Sequence, residues 1–92
     1  MEIKNLIRDI PDFPIPGVMF KDISPLLLKP EAMTYCQQTW LQALGNIKID
    51  KVIGVESRGF FFAPMLAGSL EAGFVPVRKP GKLPFTTIET SY

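Results

Sequence analysis

The 92-residue sequence contains no histidine and a single cysteine, Cys36. A lone thiol cannot close an internal disulfide, which sets aside a small disulfide-stapled scaffold. Without histidine, and with one cysteine, neither a zinc site nor a Ser–His or Cys–His nucleophilic pair is expected within the chain. No run approaches the roughly 18 consecutive apolar residues of a membrane-spanning helix. The opening "MEIKNLIRDI" is charged throughout, unlike the apolar stretch of a secretion signal. An excess of charge of one sign is also missing: ten basic and nine acidic residues leave a net charge of +1. Bulk electrostatics therefore predicts neither nucleic acid nor a membrane surface as a partner. The expected location is the cytoplasm, and no internal repeat or low-complexity tract is visible.

What the sequence does have is an ordinary globular composition, 47% hydrophobic and 21% charged, at a length that fits at most one domain. Ile3, Leu6, Ile7 and Ile10 recur at helical spacing and predict a short amphipathic helix that must stop near Pro11. Pro11, Pro14, Pro16, Gly17 and Pro25 then predict a stiff, extended, turning segment carrying Phe13, Val18, Met19 and Phe20. "KPEAMTYCQQTWLQALG" predicts a helix, with Pro30 in its first turn, Glu31 at the positive end of its dipole, and Gly45 closing it. Its apolar stripe is Met33, Cys36, Trp40, Leu41 and Leu44, so Cys36 reads as a core residue. Lys51 to Val55 predicts a strand buried on both faces. "GFFFAPMLAGSLEAG" predicts a second helix, with Pro64 near its first turn and Gly73 as its cap. "FVPVR" predicts another strand despite Pro76, "KPGKLP" a turn, and "TTIETSY" the start of a further strand. Strand–helix–strand is the α/β pattern, a parallel sheet flanked by helices. Two or three strands fall short of a usual sheet, so the fold is expected to be incomplete in this chain and to need strands from a continuation or a partner.

Ligands of open α/β sheets bind beyond the carboxyl ends of the strands. Two strands here run into charge there, one into Glu56-Ser57-Arg58-Gly59 and one into Arg78-Lys79, with Lys82 close behind. Ser57 and Gly59 also stand at a helix N-terminus, which favours an anion, and Gly59 and Gly81 would let the backbone approach it. Arg grips phosphate through parallel hydrogen bonds and Lys acts as a point charge. The rim therefore predicts a site for a phosphorylated small molecule, although it has neither the GxxxxGK[ST] nor the GxGxxG loop. Each cation taken singly reads equally well as solvated surface. Phe20, between Met19 and Lys21, is either a core phenylalanine or a platform for a flat base, and the residues alone leave both open. Asp12 and Asp22 read as turn hydrogen-bonders, and no general base follows from spacing.

Three stretches, "IRDIPDFPIPGVMFKDISPLL", "VIGVESRGFFFAP" and "FVPVRKPGKLP", together resemble the N-terminal half of the adenine phosphoribosyltransferases, within the type I phosphoribosyltransferases. The resemblance covers Leu6 to Tyr92. It implies residues 1–29 as N-terminal helix and adenine-binding loop, and residues 30–92 as the first part of the α/β core of one domain. The implied reaction transfers a phosphoribosyl group from phosphoribosyl pyrophosphate to adenine, giving AMP and pyrophosphate, with Mg²⁺ bound through the substrate and no metal ligand in the chain. By the same resemblance Phe20 stacks on the base, the backbone at Met19 reads its edge, and Lys21 stands beside it. Glu56, Ser57 and Arg58 match the pyrophosphate loop, with a cis peptide between Glu56 and Ser57. Arg78, Lys79 and Lys82 match contacts to phosphoribosyl pyrophosphate, some across a homodimer interface. The family's acidic pair with its Thr-Gly-Gly-Thr loop has no counterpart here, and its catalytic loop would follow Tyr92. The chain is accordingly expected to contain no catalytic residue, to require the C-terminal remainder of the domain, and to be inactive alone. The alternative is a non-catalytic nucleotide-binding or regulatory module on the same fold.

Overall fold

The computed structural model describes residues 1–89 and divides into two compact units, Met1–Leu44 and the residues from Gly45 onward. In the first unit the expected N-terminal helix is reduced to a 3₁₀ turn, Ile3–Leu6. The chain is extended from Ile7, and Arg8–Ile10 forms strand β1. It pairs antiparallel with strand β2, Phe20–Asp22, in the register Arg8↔Asp22, Asp9↔Lys21 and Ile10↔Phe20. The reason is partly local, since a residue before proline is driven out of the helical region and Ile10 precedes Pro11. It is also tertiary, because Arg8–Asp22 (3.1 Å) and Lys21–Asp9 (2.6 Å) become cross-strand ion pairs of the kind that favours the ribbon.

The segment between these strands is closed by its own hydrogen bonds. The Phe13 amide donates to the Val18 carbonyl (3.1 Å), and the Gly17 amide donates to Asp12 Oδ1 (2.9 Å). Asp12 and Gly17 both have positive φ, and the Phe13–Pro14 peptide is cis. Asp22 accepts from the amide and the hydroxyl of Ser24 and so starts helix α1, Ser24–Leu27, with Pro25 in its first turn. Both aspartates are thus the turn hydrogen-bonders expected of them. The Ser24 bonds, with Arg8 adding its charge, hold the Asp22 carboxyl below the usual range. Helix α2 spans Pro30–Leu44 and is followed by Gly45 at φ +58°. It packs against α1, and the buried residues of the two helices are Ala32, fully enclosed, and Leu26 (3% exposed). Met33, Cys36, Leu41 and Leu44 are half-buried, whereas Trp40 is exposed.

The second unit is a parallel β–α–β element. Strand β3, Lys51–Val55, pairs with β4, Gly73–Val77, and helix α3, Gly59–Ser69, packs on both. Gly73 donates to the Asp50 carbonyl and Val77 accepts from the Glu56 amide. The odd residues of β4 therefore face β3, and Pro76 lacks a donor only on the outer edge, where proline is tolerated. Burial on both faces of β3 is not found. Val52 and buried Gly54 face α3, but Ile53 (64% exposed), Val55 and Val75 form an open apolar face within this unit. One crossover helix can cover only one side of a sheet. Pro64 lies inside α3 rather than in its first turn, because the helix already begins at Gly59. Gly73 does not cap α3 either: Glu71 takes the left-handed position (φ 54°) and the Ala72 amide returns to the Ala67 carbonyl (2.9 Å), leaving Gly73 to open β4. The strand expected in "TTIETSY" does not appear over residues 86–89, and the rest of that stretch lies outside the described residues.

Candidate anion site at the strand tips, and the aromatic loop

Parallel pairing places the tips of β3 and β4 side by side, Val55 opposite Val77. Continuing the alternation of each strand puts Glu56 and Arg78 on the side that faces α3. There Glu56 Oε2 accepts from Arg78 Nε at 3.4 Å, and Glu56 Oε1 accepts from the amide of Lys79. The Arg78 guanidinium carbon lies 5.8 Å from the centre of the Phe60 ring, and Phe60 stands edge-on to Phe74 (5.8 Å, 84°). One carboxylate and one aromatic ring of α3 thus hold the two strand-tip loops together. The Glu56 side chain is only 16% exposed and Arg78 36%.

The Lys79 amide is the main reason that the Glu56 carboxyl is held below the ordinary glutamate value. Desolvation opposes the shift, and the charges of Arg78 and Lys79 add to it. A folded-state pKa below the unfolded one means that the clip is fully present above the ordinary value of about 4.3 and is lost as pH falls through the lowered value. The Lys79 amide resonance, followed by NMR on acidification, should therefore shift with a midpoint below about 4.3. A midpoint at or above that value would contradict the contact.

The peptide between Glu56 and Ser57 is cis, as the resemblance implied. Ser57 and Arg58 are exposed and lead directly into α3, whose first hydrogen bonds run from Phe60 to the Ser57 carbonyl (3.1 Å) and from Phe61 to the Arg58 carbonyl (3.0 Å). Lys79 to Lys82 form a turn closed by a 3.2 Å bond from the Lys82 amide to the Lys79 carbonyl. Pro80 and Gly81 (φ +82°) occupy its centre, the arrangement of a type II turn. Ser57, Arg58, Arg78, Lys79 and Lys82 thus all lie in the two loops beyond the carboxyl ends of β3 and β4. Gly59 opens α3 against the strand below it. A Cβ there would lie 3.4–3.5 Å from the Gly54 backbone, an ordinary contact distance.

In the other unit, Phe20 meets Phe13 edge-on at 5.0 Å and 67°. Met19 is exposed. Lys21 projects from the opposite face of β2 to Phe20 and is engaged by Asp9. Sequence reasoning missed Phe60, Phe13 and Asp9 as supports. Phe60 left a signal as the first of three phenylalanines after the charged loop, and Phe13 as an aromatic of the same stiff segment as Phe20, whereas Asp9 left none.

The parallel β–α–β element with cations at its strand tips is part of an α/β sheet architecture, and its likeness to solved structures makes it part of the type I phosphoribosyltransferase fold. No family model matches the chain. Its sequence, however, is related over its whole length to the adenine phosphoribosyltransferases. The relative from Christiangramia forsetii is 59% identical over all 92 residues, which make up 54% of that protein. A solved adenine phosphoribosyltransferase from Thermoanaerobacter pseudethanolicus superposes with a TM-score of 0.91 at 49% identity, over 99% of this chain and 54% of that one. The Saccharomyces cerevisiae enzyme, solved with adenine and an iminoaltritol bisphosphate, gives 0.83 at 40% identity, over 92% of this chain and 53% of that one. The chain thus spans about half the length of the relatives it matches. No helix among the described residues is long and apolar enough to cross a membrane.

Proposed function

We propose that this chain supplies part of an adenine phosphoribosyltransferase acting in purine salvage in the cytoplasm. In the reaction, adenine N9 bonds to ribose C1 of phosphoribosyl pyrophosphate, the C1–oxygen bond breaks, pyrophosphate leaves with the electron pair, and N9 loses its proton. The observation that carries this reading is the 59% identity along the whole chain, joined to the cationic loops at the tips of β3 and β4. Ser57, Arg58, Arg78, Lys79 and Lys82 are assigned to phosphoribosyl pyrophosphate, where cations aimed at the departing group stabilise developing charge. Phe20, braced by Phe13, is assigned as the stacking surface for adenine, with the Met19 backbone at the base edge and Lys21 as a flanking charge.

By role the chain divides into residues 1–29, the base loop, and residues 30–92, the first part of the phosphoribosyltransferase core, although its compact units part after Leu44. The remainder of the domain and a second copy, forming a homodimer, are the proposed partners. Mg²⁺ is proposed to arrive on the diphosphate, as the likeness to adenine phosphoribosyltransferases suggests, where it would supply charge neutralisation.

Calorimetry of the chain against inorganic pyrophosphate should show saturable binding that weakens with salt. With adenine, phosphoribosyl pyrophosphate and Mg²⁺, the 92 residues alone should form no AMP, and adding the remaining half of the domain should restore turnover. AMP formation by the chain alone would overturn this division of labour, and failure to bind pyrophosphate would overturn the reading itself.

A further inference from the structure

We infer that Glu56 is a positioning residue that sets the geometry of the anion site without touching the anion. The inference rests on the pyrophosphate reading of the strand-tip loops. An ionised carboxylate only accepts hydrogen bonds, so Glu56 has nothing to offer a pyrophosphate oxygen except repulsion. Both of its oxygens are committed inside the protein, Oε2 to Arg78 Nε (3.4 Å) and Oε1 to the Lys79 amide.

The choice of Nε matters. A carboxylate gripping that nitrogen leaves the terminal pair, the edge whose parallel donors fit phosphate, to other partners. Phe60, with its centroid 5.8 Å from the guanidinium carbon, supports the group from the helix side. Held at both places, Arg78 is confined to a narrow set of rotamers. A free arginine would lose that freedom on binding, and a side chain ordered in advance does not. The same carboxylate fixes the start of the turn that carries Lys79 and Lys82.

The sign of one substitution separates this role from simple charge. Removing a negative charge beside a cationic rim should tighten anion binding by Coulomb attraction alone. A positioning role requires the opposite. Glu56→Ala should weaken binding of inorganic pyrophosphate about tenfold, the scale of losing a charge-assisted hydrogen bond. Glu56→Gln, which keeps an acceptor for the Lys79 amide, should recover part of the loss. In the unmutated chain the Arg78 Nε–H and Lys79 amide NMR signals should be shifted by the carboxylate, and Glu56→Ala should remove both shifts. Equal or tighter pyrophosphate binding by Glu56→Ala, with the unmutated chain binding normally, overturns the inference alone. No binding by the unmutated chain overturns the pyrophosphate reading on which it rests.

Discussion

Replacing Gly54 by valine is expected to dismantle the β–α–β unit. A Cβ at this position would lie 2.7 Å from Cε1 of Phe74 and 2.8 Å from Cβ of Ala63. Neither atom can move cheaply. The Phe74 ring is set edge-on against Phe60, and Ala63 is a buried residue whose Cβ moves only with the backbone of α3. The helix would have to lift away from β3, against which Gly54 lets it sit close. Overpacking a closed site costs about 1–3 kcal/mol, more than the roughly 0.5–1 kcal/mol that replacing a strand glycine returns. Gly54→Ala should therefore lower stability by about 1–2 kcal/mol. Gly54→Val, with two further methyl groups, should abolish cooperative unfolding of this unit. Denaturant unfolding followed by circular dichroism, with amide exchange of β3 and β4, would report it. A valine variant as stable as the unmutated chain would show that α3 does not press on β3 as described.

The parts of this unit that were legible in the sequence are those whose signals are local. Lys51 to Val55 is an unbroken apolar run that ends in charge, and the apolar residues from Gly59 onward are bounded by polar loops. The rule that ligands meet open sheets at the strand tips then singled out Arg58 and Arg78. The features that escaped depend on register. Nothing local says that Glu56 stands beside Arg78, 22 residues away, until β3 and β4 are paired as Val55 with Val77. Arg8 to Ile10 shows the same limit from the other side. Its apolar spacing is helical; Pro11 after Ile10 disfavours the helix locally, and the partner Phe20–Asp22 with the two cross-strand ion pairs makes it a strand. At the end of α3 the sequence offered Gly73 for the left-handed position, but Glu71 adopted it, because the helix stopped at Ser69 and β4 needed Gly73. The expected burial of both faces of β3 failed for a simpler reason. An apolar strand is suited to two covered faces, yet the helix that follows it supplies one.

In the proposed reaction Arg58 is assigned to the leaving pyrophosphate, and Arg58→Ala should show it. The residue sits at the junction of the cis-linked loop and α3, exposed, at the carboxyl end of a strand. Its guanidinium can give a leaving pyrophosphate two parallel charge-assisted bonds, and it does so beside the N-terminus of an 11-residue helix whose dipole adds in the same sense. A hydrogen bond to a charged group contributes about 1.5–3 kcal/mol, so pyrophosphate affinity should fall about tenfold to a hundredfold. In the complete transferase kcat/KM should fall further, by about 10²–10³, because charge on the leaving oxygen is greatest at the transition state. Arg58→Lys keeps the charge but not the fork, and should recover only part of the affinity. Stability should change far less than with Gly54→Val, since Arg58 is exposed, which separates the two variants. Calorimetry against inorganic pyrophosphate and steady-state kinetics with adenine give the two numbers. If both stay within about twofold of the unmutated protein, less than a single charge-assisted hydrogen bond contributes, Arg58 is a solvated surface residue and the pyrophosphate site must be sought elsewhere on the rim.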